Sequence, residues 1–322
     1  MPKTTARPTP RKKAQYRVRN WAAYDQALVQ RGSLTVWVAE DLAATWQYTG
    51  PKRQGAQPDY SDAAIRMVLT LKELLHLTNR QVEGFVCSLF DLLHLDLAVP
   101  DHTTLSRRSR TVPGTLAPAA PTSAVTILFD STGLKVYGEG EWKVRAHGYS
   151  KRRTWRKLHL GVNPTTGHIE AAELTENGVS DAEAVAPLLA QILAPIATVA
   201  ADGAYDKRPV YDQLAAHSPA ATLLIPPRQD ACIWQHGNTE APPLPRDENL
   251  RAIRAQGRRA WKEQSGYHVR SLAETAMFRL KNQFGDQLSA RLLATQATQV
   301  MCRCLILNRM TALGRPQSYK LP

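Results

Sequence analysis

Apolar residues recur at helical spacing in the first third of the chain and at strand spacing in the middle. Across residues 61–77, Ala64, Val68, Leu71 and Leu75 follow at intervals of four, three and four, which is one face of a helix. Thr78 and Gln81 form a T-x-x-Q capping box that starts a second helix, lined by Val82, Val86, Leu89 and Leu93. Pro100 ends the connection, and Asp101 is a fitting N-cap for a third helix, 101–110, which closes on Arg107, Arg108 and Arg110. Three short helices with a polar, basic last member fit an all-α, helix-turn-helix-like module. A small bundle that only packs fits the same pattern. Thr103, Thr104, Arg107 and Arg108 suit phosphate or base-edge contacts, which favours DNA.

Residues 113–122, with Pro113, Gly114, Pro118 and Pro121, interrupt this pattern and read as a linker. Beyond it the period shortens. Val125–Phe129 reads as a buried strand that ends in Asp130. Leu134–Tyr137, Trp155–Val162 and His168–Leu174 read as further strands. Ser180 and Glu183 make another capping box, opening a helix through Ala194. Ile196–Ala201 is again a short apolar strand, and again it ends in an acid, Asp202. Residues 226–250 are loop-rich, and from Ser265 to Met310 the chain reads as largely helical. The expected organisation is therefore a disordered basic arm over 1–20, a helical DNA-binding domain over 21–112, the linker, and an α/β domain over 123–322.

Composition sharpens this picture through charge. The 322 residues carry a formal net charge of +13, with 41 Lys+Arg against 28 Asp+Glu. Two runs without a single acid hold the excess. One lies in residues 1–20. The other comprises Lys143, Arg145, Lys151, Arg152, Arg153, Arg156 and Lys157. The remainder is close to neutral, so the charge forms two patches suited to a polyanion. Cys302 and Cys304 form a C-x-C pair without further ligands at zinc spacing, and ordinary buried thiols explain the four cysteines. No apolar run reaches the length of a membrane span, so a soluble, cytoplasmic protein is expected.

Two apolar strands that each lead into an aspartate place two carboxylates on rigid supports. A third acid shares a helix with other polar groups. Tyr267, Arg270, Glu274 and Lys281 are three, four and seven residues apart, which at about 100° per residue puts them within roughly 60° of one another. Leu272, Ala276 and Leu280 supply an apolar face. A polar stripe of this kind also fits a solvent face. His159 lies mid-strand and reads as structural. Trp142, Trp155, Trp234 and Trp261 read as packing residues, and Asp206 as either a neighbour of the Asp202 site or an exposed helix start.

The pattern Y-x2-R-x3-E-x6-K resembles the signature of DDE transposases from bacterial insertion sequences. The strings LFDSTGLKVYGEGEWKVRAHG, AADGAYDKR and PDHTTLSRR are similar to segments of the insertion-sequence-five family. The resemblance runs from about residue 20 to residue 310. It implies an RNase H-like catalytic core, a mixed sheet flanked by helices. Asp130, Asp202 and Glu274, each 72 residues from the next, are then the catalytic acids and metal ligands. Oxygen-only ligands select Mg2+ or Mn2+, and a pair of ions would serve in-line phosphoryl transfer. Asp130 would bridge them, with Asp202 and Glu274 each completing one site. Tyr267, Arg270 and Lys281 are implied DNA contacts, and the basic run at 143–157 would follow the backbone. The implied partners are double-stranded DNA, as terminal inverted repeats and target, and at least a second copy of the chain. The implied location is the bacterial nucleoid. A catalytically silent DNA-binding protein, a decayed or domesticated copy, is the alternative.

Overall fold

The computed structural model describes residues 15–38, 41–52, 54–55, 57–112, 116, 123–136, 155–235 and 242–321. Lys143, Arg145, Lys151, Arg152, Arg153 and Trp142 lie outside them, as does nearly all of the expected linker.

The N-terminal part is helical. Helices α1 (Trp21–Gln30), α2 (Leu34–Trp37) and α3 (Leu42–Trp46) lead into α4 (Asp62–Leu74), α5 (Asn79–Leu92) and α6 (His102–Arg108). Local capping sets the starts of the last three. Ser61 Oγ accepts from Ala64 N at 3.0 Å. Thr78 and Gln81 form the reciprocal capping box. Asp101 Oδ1 accepts from Thr104 N at 2.7 Å. Ala64, Val68, Leu71, Val82, Val86 and Leu89 are buried as their spacing predicts. Leu75 and Leu93 are exposed, because each helix stops one residue before them and the chain turns at His76 and His94, both with positive φ. Glu83 Oε2 accepts from His102 N at 2.8 Å and fastens α6 to α5.

The remainder is an α/β unit. Strands β2 (Val125–Val136), β3 (Trp155–Val162), β4 (Ile169–Glu176), β5 (Ile196–Ala200) and β6 (Thr222–Leu224) form one sheet in the order β4-β3-β2-β5-β6. β4, β3 and β2 are antiparallel to one another in turn. β5 and β6 run parallel to β2. This mixed order is the RNase H-like arrangement. The β3–β4 hairpin closes through Gly167, whose φ of +73° suits a residue without Cβ. A short strand β7 (Gln287–Leu288) pairs with the far end of β2.

Helices cover both faces. α7 (Val185–Leu189) and α8 (Arg208–His217) pack on Ile127, Phe129 and Val199. α9 (Pro245–Gln256) and α10 (Arg258–Gln264) are followed by α11 (Ser271–Phe284) and α12 (Leu293–Leu313). α10, α11 and α12 bury Trp261, Ala276, Leu280, Cys304 and Leu307 against Leu128, Leu158 and Leu160 on the other face. Strand alternation explains the division, since even and odd residues of β2 point to opposite sides.

Several expectations need correction. Asp130 does not end its strand. β2 runs unbroken through Val136, because its outer half pairs with β3 as far as Lys135↔Trp155. The arm expected to be disordered through residue 20 contains β1 (Tyr16–Val18), held by antiparallel pairing to β8 (Ser318–Lys320). The helix expected over 180–194 is short. Ser180 N donates to Glu183 Oε2 at 2.7 Å, but the chain turns before α7 begins. The helical stretch expected from 265 to 310 is split by Gly285, at φ +76°, and by β7. Leu272 is exposed; Ala273 and Met277 are buried alongside Ala276 and Leu280.

The two parts are not separate bodies. α12 docks on α4, and Cys302 enters the helical cluster while Cys304 enters the sheet cluster. Burial pushes both thiols up to about 12. Cys87 and Cys232, expected to be buried, are exposed. At the same junction Arg303 Nε donates to Glu73 Oε2 at 2.9 Å, with both groups buried. No helix among the described residues is long and apolar enough to cross a membrane.

Candidate active site

Register builds the site. β2 and β5 are parallel with Leu128 opposite Ala200. Two residues further, Asp130 and Asp202 therefore lie in line on neighbouring chains whose axes are about 4.8 Å apart. Both follow a residue of the same face, since Leu128 and Ala200 pack in the cluster beneath α11. Asp202 is extended and caps a short 3-10 turn, its Oδ1 accepting from Ala204 N at 2.8 Å. Asp130 Oδ1 accepts from Ser131 N at 2.9 Å.

The third acid arrives from α11. A 3-10 turn over Tyr267–Arg270 precedes the helix, so the four-residue stripe expected on one helix is divided between two elements. Arg270 stands at the junction. Its guanidinium donates to Asp130 Oδ2 at 3.2 Å and to Glu274 Oε1, bridging the strand acid and the helix acid. Glu274 is exposed, whereas the Asp130 side chain is only 14% accessible. Burial raises the Asp130 carboxyl above its ordinary range. The Ser131 hydrogen bond and Arg270 oppose that shift, while Asp202 and Glu274 add to it. The carboxylates thus feel one another across the site. Burial works against the charge on Arg270, and the neighbouring Asp130, Glu274 and Asp202 carboxylates help to outweigh it.

Tyr267 packs its ring against Trp261, with centroids 5.5 Å apart, and lies under the Lys262 ammonium. Burial raises its phenol, which also senses Arg270 and the three acids. It therefore both packs and borders the site. Lys281 sits two turns along α11 from Glu274 and makes no ion pair with a described residue.

Among the described residues, no three His, Cys, Asp or Glu side chains converge closely enough to hold a metal ion. Arg270 supplies the compensating positive charge in this arrangement. The donor set itself fits a hard divalent cation, because it consists of carboxylate oxygens whose mutual repulsion such an ion relieves.

The opposite face of the sheet carries a polar cluster that sequence reading resolved only at His159. That histidine is fully buried, with Nε2 3.0 Å from Thr175 Oγ1 and Nδ1 3.4 Å from Asp181 Oδ1. Lys157 Nζ lies 2.9 Å from Asp181 Oδ1 in this cluster, whereas Arg156, on the face covered by α12, donates from Nε to Gln296 Oε1 at 2.8 Å. These two members of the basic run thus have internal partners. Arg108, assigned to DNA, likewise donates to Tyr60 O at 2.9 Å and Asp62 Oδ1 at 2.5 Å. Thr103 and Thr104 give their hydroxyls to Asp101, and Arg107 is exposed. Asp206 is not an exposed helix start. Its side chain is buried against Arg246, which also meets Asp247. Arg246 lies over the Trp234 ring at 3.9 Å, so Trp234 packs, as do Trp155 and Trp261. Nothing in the spacing marked Arg246 or Asp247, and the pairing of Arg246 with Asp206 joins residues 40 apart.

A family model described as a transposase DDE domain matches residues 121–309, more than half of the chain. A second model of the same description matches residues 29–139. Among solved structures, the chain aligns with a pre-cleavage Mos1 transpososome over 83% of each chain, at 10% identity and a TM-score of 0.21. That superposition is too loose to inform the fold.

Proposed function

The chain belongs to the DDE transposase family, and we propose that it binds the terminal inverted repeats of its own mobile element and catalyses metal-dependent strand cleavage and strand transfer there. The observation that carries this reading is the parallel register that sets Asp130 beside Asp202, with Arg270 linking Asp130 to Glu274. Residues 21–112 serve as the recognition module and 123–322 as the catalytic unit. Acting on two element ends requires at least a dimer.

Asp130, Asp202 and Glu274 would hold Mg2+ or Mn2+, which supplies Lewis-acid stabilisation of the attacking and leaving oxygens in phosphoryl transfer. The chain's own groups do the rest. β2 and β5 fix two carboxylates on rigid strands, and α11 brings the exposed third to them. Arg270, freed from the carboxylates, can pair its planar guanidinium with the non-bridging oxygens of the scissile phosphate. Lys281 is placed to hold a neighbouring phosphate as a point charge. Tyr267 fixes the approach of α11 by its packing on Trp261. The basic run at 143–157, adjoining β2 and β3 in sequence, is proposed to track the DNA backbone through Lys143, Arg145, Lys151, Arg152 and Arg153.

The test uses a duplex bearing the inverted repeats that flank the gene. Wild-type protein should nick it in Mg2+, and Glu274→Gln should abolish nicking while retaining binding. Cleavage by the variant would remove Glu274 from the role. Binding without cleavage by the wild type would favour a catalytically silent DNA-binding protein, in which Arg270 keeps the acids closed.

A further inference from the structure

A groove runs between the helical part and the catalytic unit, outside the acid site. Its larger portion, about 820 Å³, lies between the α4–α5 turn, the end of α6 and the loop joining β7 to α12. A second hollow of about 680 Å³, lined by the start of α5 and by α6, shares Thr78, Asn79, Ser106 and Arg110 with the first. Four arginines border this continuous surface: Arg80, Arg107, Arg110 and Arg291. All four are exposed, and none makes an ion pair with a described residue. The one carboxylate lining the larger hollow, Glu73, is buried and already paired with Arg303 and Lys72. The groove is therefore net positive, with hydroxyl and amide donors between its charges.

We propose that this groove seats the sugar–phosphate backbone of duplex DNA, so that the catalytic unit itself, through Arg291, shares the duplex with the helical module. The proposal rests on the reading that the chain binds DNA, and adds a contact surface to it. The arginines come from three separate stretches of the chain and border the two adjoining hollows. Several unpaired guanidinium groups spread over one continuous surface match a polymer with one charge per about 1.7 Å of duplex axis better than a single anion. Location supports the same occupant. Arg291 follows β7, which pairs with β2 at Lys135↔Gln287. That point is five residues from Asp130, about 17 Å at the rise of a strand.

The experiment measures binding of the full chain to a random-sequence 40-base-pair duplex by fluorescence anisotropy between 50 and 200 mM salt. Phosphate contacts are independent of sequence, so this probe isolates them. Arg110→Ala with Arg291→Ala should flatten the slope of log K against log salt by about 1.8, two contacts at about 0.9 each. Arg110→Lys with Arg291→Lys should keep the wild-type slope, and decides the matter should the alanine pair lower the thermal midpoint. An unchanged slope in the alanine pair overturns the proposal. If it comes with a changed sedimentation coefficient, the groove is an interface between copies. A wild-type chain that binds no duplex overturns both this inference and the function on which it rests. A wild type that binds and nicks, matched by the alanine pair, overturns this inference alone.

Discussion

Arg270 is the residue on which the site turns. It joins a strand acid to a helix acid, and its charge opposes the rise that burial imposes on Asp130. Removing it leaves a half-buried carboxylate without its cation and, on the proposed function, a phosphate without its fork. Arg270→Ala should slow single-turnover nicking by about 10²–10³-fold at saturating DNA, the usual loss for a preorganised charge at a reacting centre. Arg270→Lys should recover only part of that rate, because an ammonium cannot bridge two carboxylates in the same plane. A rate for Arg270→Ala within twofold of wild type would exclude the role. The sequence marked Arg270 as a DNA contact through the family pattern. It did not reveal the bridge, because the partner on β2 lies 140 residues away.

At the scale of elements, α6 depends on its cap. Asp101 is held down to about 2 by the Thr103 hydroxyl, then by the Thr104 N–H. Its pKa in the folded chain lies below the unfolded value near 3.8, so this cap contributes stability above about pH 4 and loses it as the pH drops towards 2. Asp101→Asn keeps a capping oxygen and should remove that part of the acid dependence, read as urea midpoints between pH 5 and 2. A variant with the wild-type acid profile would show that the cap does not carry it. The same element shows how local signals are legible. The starts of α4, α5 and α6 follow from Ser61, Thr78 and Asp101, because a cap acts within three residues. The continuation of β2 past Asp130 was not legible, because cross-strand partners on β3 sustain it through polar residues.

Across the whole molecule, α12 and α4 couple the two parts. Glu73, Arg303 and Gln299 form a buried network between helices far apart in sequence. Glu73→Ala would remove the one carboxylate facing the buried Arg303 guanidinium, leaving it Gln287 O and leaving Gln299 its Ser289 contact, and should cost about 3–5 kcal/mol in urea unfolding, as broken buried pairs do. The wild-type chain should unfold in one transition by near- and far-ultraviolet circular dichroism. In Glu73→Ala the two signals should separate as the helical part loosens. A loss below 1 kcal/mol with coincident signals would show that apolar packing alone joins them.

The sequence by itself determined the class of the protein. Period, capping residues and short motifs are local properties, and they sufficed for three helices, most strands and the family. Tertiary structure decided which charges remain free. Arg108, Arg156 and Lys157 read as DNA contacts along the chain, yet each has an internal partner. Arg110 and Arg291 meet across a groove that no linear pattern announces. The reason is physical: a charge is available to DNA only when no carboxylate or amide lies within reach, and reach is set by packing between residues distant in sequence.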